Sequence, residues 1–288
     1  MLNLLRDPSA LVEHLLLVLN QRNGYEHFST PGISPLPAAS AVLLPLSMGR
    51  HDQGASPGPS LVYNKRSKRV KQAGDLCFPG GRVMPRADFY LSKILGLPLF
   101  PLARWPYWSR LRRLPGGKSR SVAVLFAASL RESLEEMRLN PLSVKFLGPL
   151  PPQRLVMFQR VIFPMVGWIS GQKRFFPNWE VEKIVYIPLR DLLEVDRYAC
   201  YRLDMGSCGE NERGTAIRNF PCFLHRGRDG EEILWGATYR ITILFLELVF
   251  GFSTPPMEDL PVVEGALNQT YLTGAGNRGR MPLAQGAK

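Results

Sequence analysis

Residues 127–137 read Ala-Ala-Ser-Leu-Arg-Glu-Ser-Leu-Glu-Glu-Met, and the six from Arg131 to Glu136 decide how the rest of the chain is read. On a helix, positions three and four apart share a face. Glu132, Glu135 and Glu136 then point one way. Ala127, Leu130, Leu134 and Met137 point the other way, where they bury against a core. Such a helix is anchored by its apolar stripe and presents three carboxylates. A like-charge pair costs only about 0.2–0.5 kcal/mol on an exposed helix. A divalent cation outweighs that cost, because hard cations prefer clustered carboxylate oxygens. Taken alone, the cluster reads first as a solvated acidic face, and only its neighbours make it informative.

The helical pattern extends over residues 121–140. Before it, residues 85–120 place Trp105, Tyr107 and Trp108 among Arg104, Arg110, Arg112, Arg113 and Lys118, with four prolines from Pro85 to Pro106. This stretch reads as an irregular or partly helical insertion. Its aromatic and basic side chains suit a membrane-surface patch, a lid or a partner interface. Further upstream, residues 74–81 form a glycine-punctuated turn, preceded by the basic run Lys65, Arg66, Lys68, Arg69 and Lys71. Apolar runs at 41–46, 61–63, 160–169 and 183–188 read as strands, and 234–252 as a buried helix. Residues 198–230 read as polar and loop-like around a short apolar piece at 220–224. The expected organisation is an N-terminal helix and loop over 1–40, one domain over 41–252 with its insertion at about 85–120, and an unstructured tail over 253–288.

Composition narrows the partners. The 288 residues are 45% hydrophobic and 21% charged, which excludes wholesale disorder, collagen and coiled coil. Lys and Arg number 36 against 24 Asp and Glu, a net charge of +12, which suits nucleic acid, nucleotide phosphate or an anionic membrane. No RNA-recognition motif, zinc-finger spacing or helix-turn-helix signal accompanies the charge, so no specific nucleic-acid partner is expected. Cys77, Cys200, Cys208 and Cys222 form no CxxC, which argues against structural zinc and for free thiols in a reducing cytoplasm. The N-terminus reads as an amphipathic helix rather than a signal peptide. The apolar stretch 241–252 contains Glu247 and falls short of the roughly 20 residues a bilayer span needs. The expectation is a cytoplasmic protein without a transmembrane segment, with peripheral membrane contact open to residues 95–114.

Four ordered segments together resemble the Nudix hydrolase superfamily and, within it, the coenzyme A pyrophosphatase branch. Arg131-Glu132-x-x-Glu135-Glu136 resembles the helical half of the Nudix box, G-x5-E-x7-R-E-U-x-E-E-x-G-U. Arg66-Ser67, then Gly74 and Phe78-Pro79-Gly80-Gly81, look like that branch's R-S…G-x-x-x-F-P-G-G signature. Pro177-Asn178-Trp179-Glu180-Val181 followed by Ile187-Pro188-Leu189 is similar to its P-N-x-x-E-V…V-P-L segment. Trp235-Gly236-Ala237-Thr238-Tyr239-Arg240 resembles its W-G-A-T-x-R helix start. The likeness covers roughly residues 41–252. The chain also departs from the pattern. Gly81 and Arg131 are 50 positions apart, far wider than the box spaces them. Ala87 stands where the upstream box glutamate is expected, with Asp88 one position on, and Arg138 and Leu139 hold the places of the closing glycine and aliphatic residue.

The resemblance implies an α/β fold, an α/β/α sandwich with a mixed sheet. It implies divalent-metal-dependent hydrolysis of a nucleoside-diphosphate-linked small molecule, coenzyme A or acyl-CoA cleaved to 4′-phosphopantetheine and 3′,5′-ADP. Glu132, Glu135 and Glu136 would bind Mg²⁺ or Mn²⁺, and Arg131 would support them. The general base would be Glu136 or a loop acid such as Glu180. Arg66 and Lys71 would meet substrate phosphates, and Gly80 and Gly81 would let backbone approach closely. The displaced box also motivates an alternative, a catalytically weakened Nudix-fold protein that binds a nucleotide or a partner.

Overall fold

The apolar run beginning at Ala39 is buried on both faces, as a central strand with a parallel neighbour must be. The structure is a computed structural model that describes residues 4–21, 25, 28, 39–49, 58–155, 160–204, 217–227, 230–267 and 271. In chain order, α1 (Pro8–Leu19) precedes β1 (Ala39–Met48), β2 (Pro59–Arg66), β3 (Leu76–Cys77) and β4 (Gly80–Arg82). Next come α2 (Pro85–Leu95), α3 (Trp108–Arg112) and α4 (Lys118–Met137), then β5 (Val144–Pro149), β6 (Gln153–Leu155), β7 (Arg160–Ile169) and β8 (Val181–Pro188). The remainder comprises α5 (Leu189–Leu192), β9 (Tyr198–Asp204), β10 (Ile217–Gly227), β11 (Gly230–Trp235), α6 (Gly236–Phe250) and β12 (Val262–Ala266).

The first sheet runs β3-β2-β1-β7-β5, with β4 on β1, β6 on β7 and β8 on β2. Only β1 and β7 pair in parallel, so the sheet is mixed. Alternation along β2 sends neighbouring side chains to opposite faces. Asn64 reaches Glu136 of α4, while Tyr63 Oη lies 3.0 Å from Thr242 Oγ1 of α6. Helix α4 therefore covers one face and α6 the other, which is the α/β/α sandwich expected. Helix α1 joins α6, its His14 Nε2 lying 2.9 Å from the Val249 carbonyl oxygen. A second sheet runs β11-β10-β9-β12.

Several expectations change. Residues 198–204 and 217–227 are the paired strands β9 and β10, not loop; Tyr198, Ala199, Cys200, Cys222 and Phe223 are buried. The tail expectation fails where β12 pairs in parallel with β9, because a strand whose partner is some sixty residues upstream leaves no local periodicity to read. Residues 268–270 and 272–288 lie outside the described residues, as does Cys208. The insertion is partly helical, built from α2, tight turns and α3. Trp105 is not a surface aromatic: it is buried edge-on against Phe146, ring centroids 4.7 Å apart. No helix among the described residues is long and apolar enough to cross a membrane.

Helix α4 ends on Arg138 in the left-handed region, φ 55°, a conformation that glycine adopts without steric cost. That explains why the resembling pattern has glycine there. Arg138→Gly is expected to stabilise the fold by about 0.5–1 kcal/mol, read as a higher denaturation midpoint at unchanged m-value.

Candidate active site

Small residues bring α4 close to the sheet. Ala127, Ala128, Ser129 and Ser133 are all fully buried. The two serine hydroxyls donate to carbonyls of their own helix, Ser129 to Phe126 and Ser133 to Ser129. This rotates the buried stripe relative to the sequence reading: Ser133 faces in and Leu134 is 40% exposed. Leu134 therefore does not anchor the helix. Of the three glutamates, Glu132 and Glu136 are half-buried and Glu135 is exposed.

Glu136 is turned against the sheet. Asn64 Nδ2 donates to its Oε2 at 2.7 Å, and the Gly80 backbone N–H also donates to the carboxylate. Burial pushes its carboxyl up to about 8, aided by the negative charges of Glu132 and Glu180. Glu132 lies against Gly81, where an added Cβ would sit 2.5 Å from the carboxyl carbon. Its carboxyl is raised too, chiefly by burial and against the pull of Arg131. A side chain on Gly80 would collide with the Ala41 carbonyl. Gly80 is therefore required by its close approach to the β1 backbone, whereas a side chain at Gly81 would displace the Glu132 carboxyl. Glu135 is 56% exposed and touches only Arg131, Nη1 to Oε1 at 3.4 Å.

Arg131 clamps the assembly. Its Nε donates to Asp88 Oδ1 at 2.8 Å and its Nη2 to Asp88 Oδ2 at 3.4 Å; Nη1 donates to Glu132 at 2.9 Å and Nη2 to the Arg82 carbonyl at 3.0 Å. Asp88 is fully buried. The loop bearing Glu180 docks on the end of α4: the Phe176 and Asn178 N–H groups donate to the Met137 and Glu136 carbonyls. These bonds satisfy carbonyls that a helix terminus leaves open. The Glu180 carbonyl accepts from the Ser67 N–H, which ties this loop to the end of β2.

The basic run does not act as one group. Lys65 turns to the other face and pairs with Glu232 at 3.0 Å and Glu182 at 3.7 Å. Arg66 Nε donates to the Lys71 carbonyl at 2.8 Å, so Lys71 contributes its backbone there while the residue itself is exposed. Arg66 also stands beside Asp75 and Cys77, and Cys77 in turn feels Glu136. A cavity of about 290 Å³ opens next to Asp75, Tyr201, Trp235 and Tyr271. Its polar groups already have partners: Trp235 Nε1 and Tyr271 Oη donate to Asp75, and Lys65 and Lys183 pair with Glu232. Trp235 is thus a packing and anchoring residue.

Among the described residues, no group of three or more His, Cys, Asp or Glu side chains closes into a metal-binding cluster. Arg131 stands between Glu132 and Glu135 instead. The donor chemistry nevertheless suits a hard divalent cation. Two carboxyls are raised by burial, both lie toward the negative end of α4, and the buried Asn64 Oδ1 beside Glu136 has no hydrogen-bond partner. Asn64 and the Asp88–Arg131 clamp were not anticipated as site features; strand alternation would have paired Asn64 with Arg66 on one face, but not shown which face meets α4.

Over 169 residues the chain is 30% identical to an uncharacterized Nudix hydrolase NudL of Pectobacterium atrosepticum, a match covering 58% of this chain and 64% of that protein. A second NudL, from Citrobacter koseri, is 30% identical over 158 residues, covering 54% and 62%. The chain thus spans just under two thirds of the length of these curated relatives. No family model matches it. Among solved structures, a MutT/nudix family protein from Enterococcus faecalis is 12% identical at TM-score 0.37, covering 78% of this chain and 65% of that one. A Nudix hydrolase from M. Smegmatis, RenU, is 10% identical at TM-score 0.34, covering 54% and 73%.

Proposed function

The chain belongs to the Nudix hydrolase superfamily, and from that premise we propose that it is a divalent-metal-dependent pyrophosphohydrolase whose substrate is coenzyme A or an acyl-CoA, cleaved to 4′-phosphopantetheine and 3′,5′-ADP. The observation that supports this reading is the Gly80-Gly81 bend set against the two glutamates: the Gly80 N–H donates to Glu136, and a side chain at Gly81 would displace the Glu132 carboxyl. Glu132 and Glu136, joined by Glu135 once it leaves Arg131, would hold Mg²⁺ or Mn²⁺. Such an ion neutralises diphosphate charge and lowers the pKa of a bound water.

The chain's own residues do the rest. Arg131, held by Asp88, fixes the lateral position of Glu132. Asn64 and the Gly80 N–H orient the Glu136 carboxylate. The proton of the attacking water passes to a carboxylate, Glu136 or Glu180; the two lie close enough for Glu180 to raise the Glu136 carboxyl. Arg66, the residue at the resembling signature position, offers a guanidinium for a terminal phosphate. A cytoplasmic setting, in which Cys77, Cys200 and Cys222 stay as the free thiols seen here, belongs to the same proposal.

A hydrolysis panel tests it: CoA, acetyl-CoA, ADP-ribose, a dinucleoside polyphosphate and NADH, each with and without Mg²⁺ or Mn²⁺, products identified by mass. The expected result is metal-dependent release of 3′,5′-ADP from CoA at least about tenfold faster, as kcat/KM, than cleavage of the others. Preference for another substrate removes the CoA assignment. Tight nucleotide binding without turnover supports the second reading, a weakened Nudix-fold binding protein, which the pairing of Arg131 with both Glu132 and Glu135 favours.

A further inference from the structure

Helix α2 is amphipathic the wrong way round for a helix with only one partner. The face it packs on α4 carries Asp88 and Ser92 along with Leu95, all buried. The face it leaves outside carries Tyr90, Ile94 and, just beyond the helix end, Leu97. Arg86, Tyr90, Lys93, Ile94 and Leu97 recur at helical spacing and form one stripe. Leu99 follows at the exposed loop tip, 80% accessible and at φ 76°. That left-handed conformation is unusual for a leucine, and glycine or asparagine would meet it at lower cost if solubility alone mattered. Met84 adds a further exposed apolar side chain at the N-terminal end.

Charge says what covers this face. Between residues 85 and 120 the chain has eight Lys and Arg and a single acid, Asp88. Asp88 is fully buried on Arg131, so within residues 85–120 no exposed carboxylate offsets the basic side chains. Arg86, Lys93, Arg104, Arg110, Arg112, Arg113 and Arg120 are all exposed. Aliphatic side chains sharing one stripe with the exposed Arg86 and Lys93 match an anionic lipid bilayer: the chains enter the headgroup boundary while the cations meet lipid phosphates. A nucleic-acid backbone would satisfy the cations but leave Ile94, Leu97 and Leu99 against phosphate and sugar.

We infer that the outer face of α2 and the Leu97–Leu99 tip form a peripheral docking surface for anionic membranes. This differs from the aromatic patch expected at 95–114, because Trp105 is in the core. The surface is independent of what the glutamate site hydrolyses. Its back face holds Asp88, so docking would set the membrane one helix away from the Arg131 clamp.

Vesicle co-sedimentation with the full chain tests it, using phosphatidylcholine alone and phosphatidylcholine with 30% phosphatidylserine. The expected result is binding to the anionic vesicles only, weakening as salt rises. The pair Leu97→Ser with Leu99→Ser, and separately Arg86→Glu with Lys93→Glu, should each weaken binding at least tenfold at an unchanged melting temperature. Absence of binding by the unaltered chain would overturn the inference, as would variants that bind as tightly as it does. Binding of neutral and anionic vesicles alike, or stronger binding of duplex RNA or DNA lost in the same variants, would also overturn it.

Discussion

Replacing Glu135 and Glu136 together by glutamine is expected to lower metal-dependent kcat/KM by about 10²–10⁴-fold, the range for removing a proton acceptor or an anchor of a reactive centre. Glutamine keeps the shape of each side chain. The amide oxygen at position 136 can still accept from Asn64 Nδ2 or from the Gly80 N–H. The fold should not suffer. Burial already disfavours the Glu136 carboxylate, whose pKa is pushed up to about 8. A group whose folded pKa lies above its unfolded value opposes folding once ionised. Removing that ionisation leaves the melting temperature equal or higher. Loss of turnover with retained stability marks a residue kept for chemistry. Unchanged turnover would remove both glutamates from the mechanism.

Asp88→Ala is the largest expected stability change. Asp88 is fully buried and accepts from Arg131 through both carboxylate oxygens and from the Met84 N–H at 2.6 Å. Alanine leaves a guanidinium only 14% exposed without its main partner, and a backbone N–H without an acceptor. Breaking a buried ion pair from one side costs about 3–5 kcal/mol. Because Glu132 and Glu135 remain near Arg131, the lower end applies, about 3 kcal/mol of unfolding free energy by denaturant titration. Asp88→Asn keeps an acceptor for Met84 and should cost less. Turnover should fall in both, since Arg131 no longer fixes Glu132. A loss below about 1 kcal/mol for the alanine variant would mean the clamp is not what joins the insertion to α4.

The readable parts of this fold were those whose signal is local. The stretch from Arg131 to Glu136 announces a helix by its own spacing, and the run from 41 to 46 announces a buried strand by being apolar throughout. Gly80 and Gly81 are legible as a tight bend. What they approach is not, because Ala41 and Glu132 reach them only through strand pairing and helix packing. Hydrophobicity alone assigns Leu134 to the buried stripe, but the side chain is 40% exposed. In α4 Ser129 and Ser133 are buried beside Phe126, Leu130 and Met137, while Leu134 lies outside. Helix α2 inverts the same rule, burying Asp88 and exposing Ile94. Strand β12 and the β9–β10 pair depend on partners distant in sequence or on one solvated face, so composition alone made them loop.

The proposed chemistry requires Glu132 and Glu136, backed by the glycine bend, to hold a divalent cation. Isothermal titration of Mn²⁺ into the full chain, against the Glu132→Gln, Glu136→Gln double variant, tests it without any substrate. The prediction is saturable binding by the unaltered chain, weakened at least about tenfold in the variant, with both folded by circular dichroism. Equal Mn²⁺ affinity in the two proteins, or no binding by the unaltered chain, would contradict it.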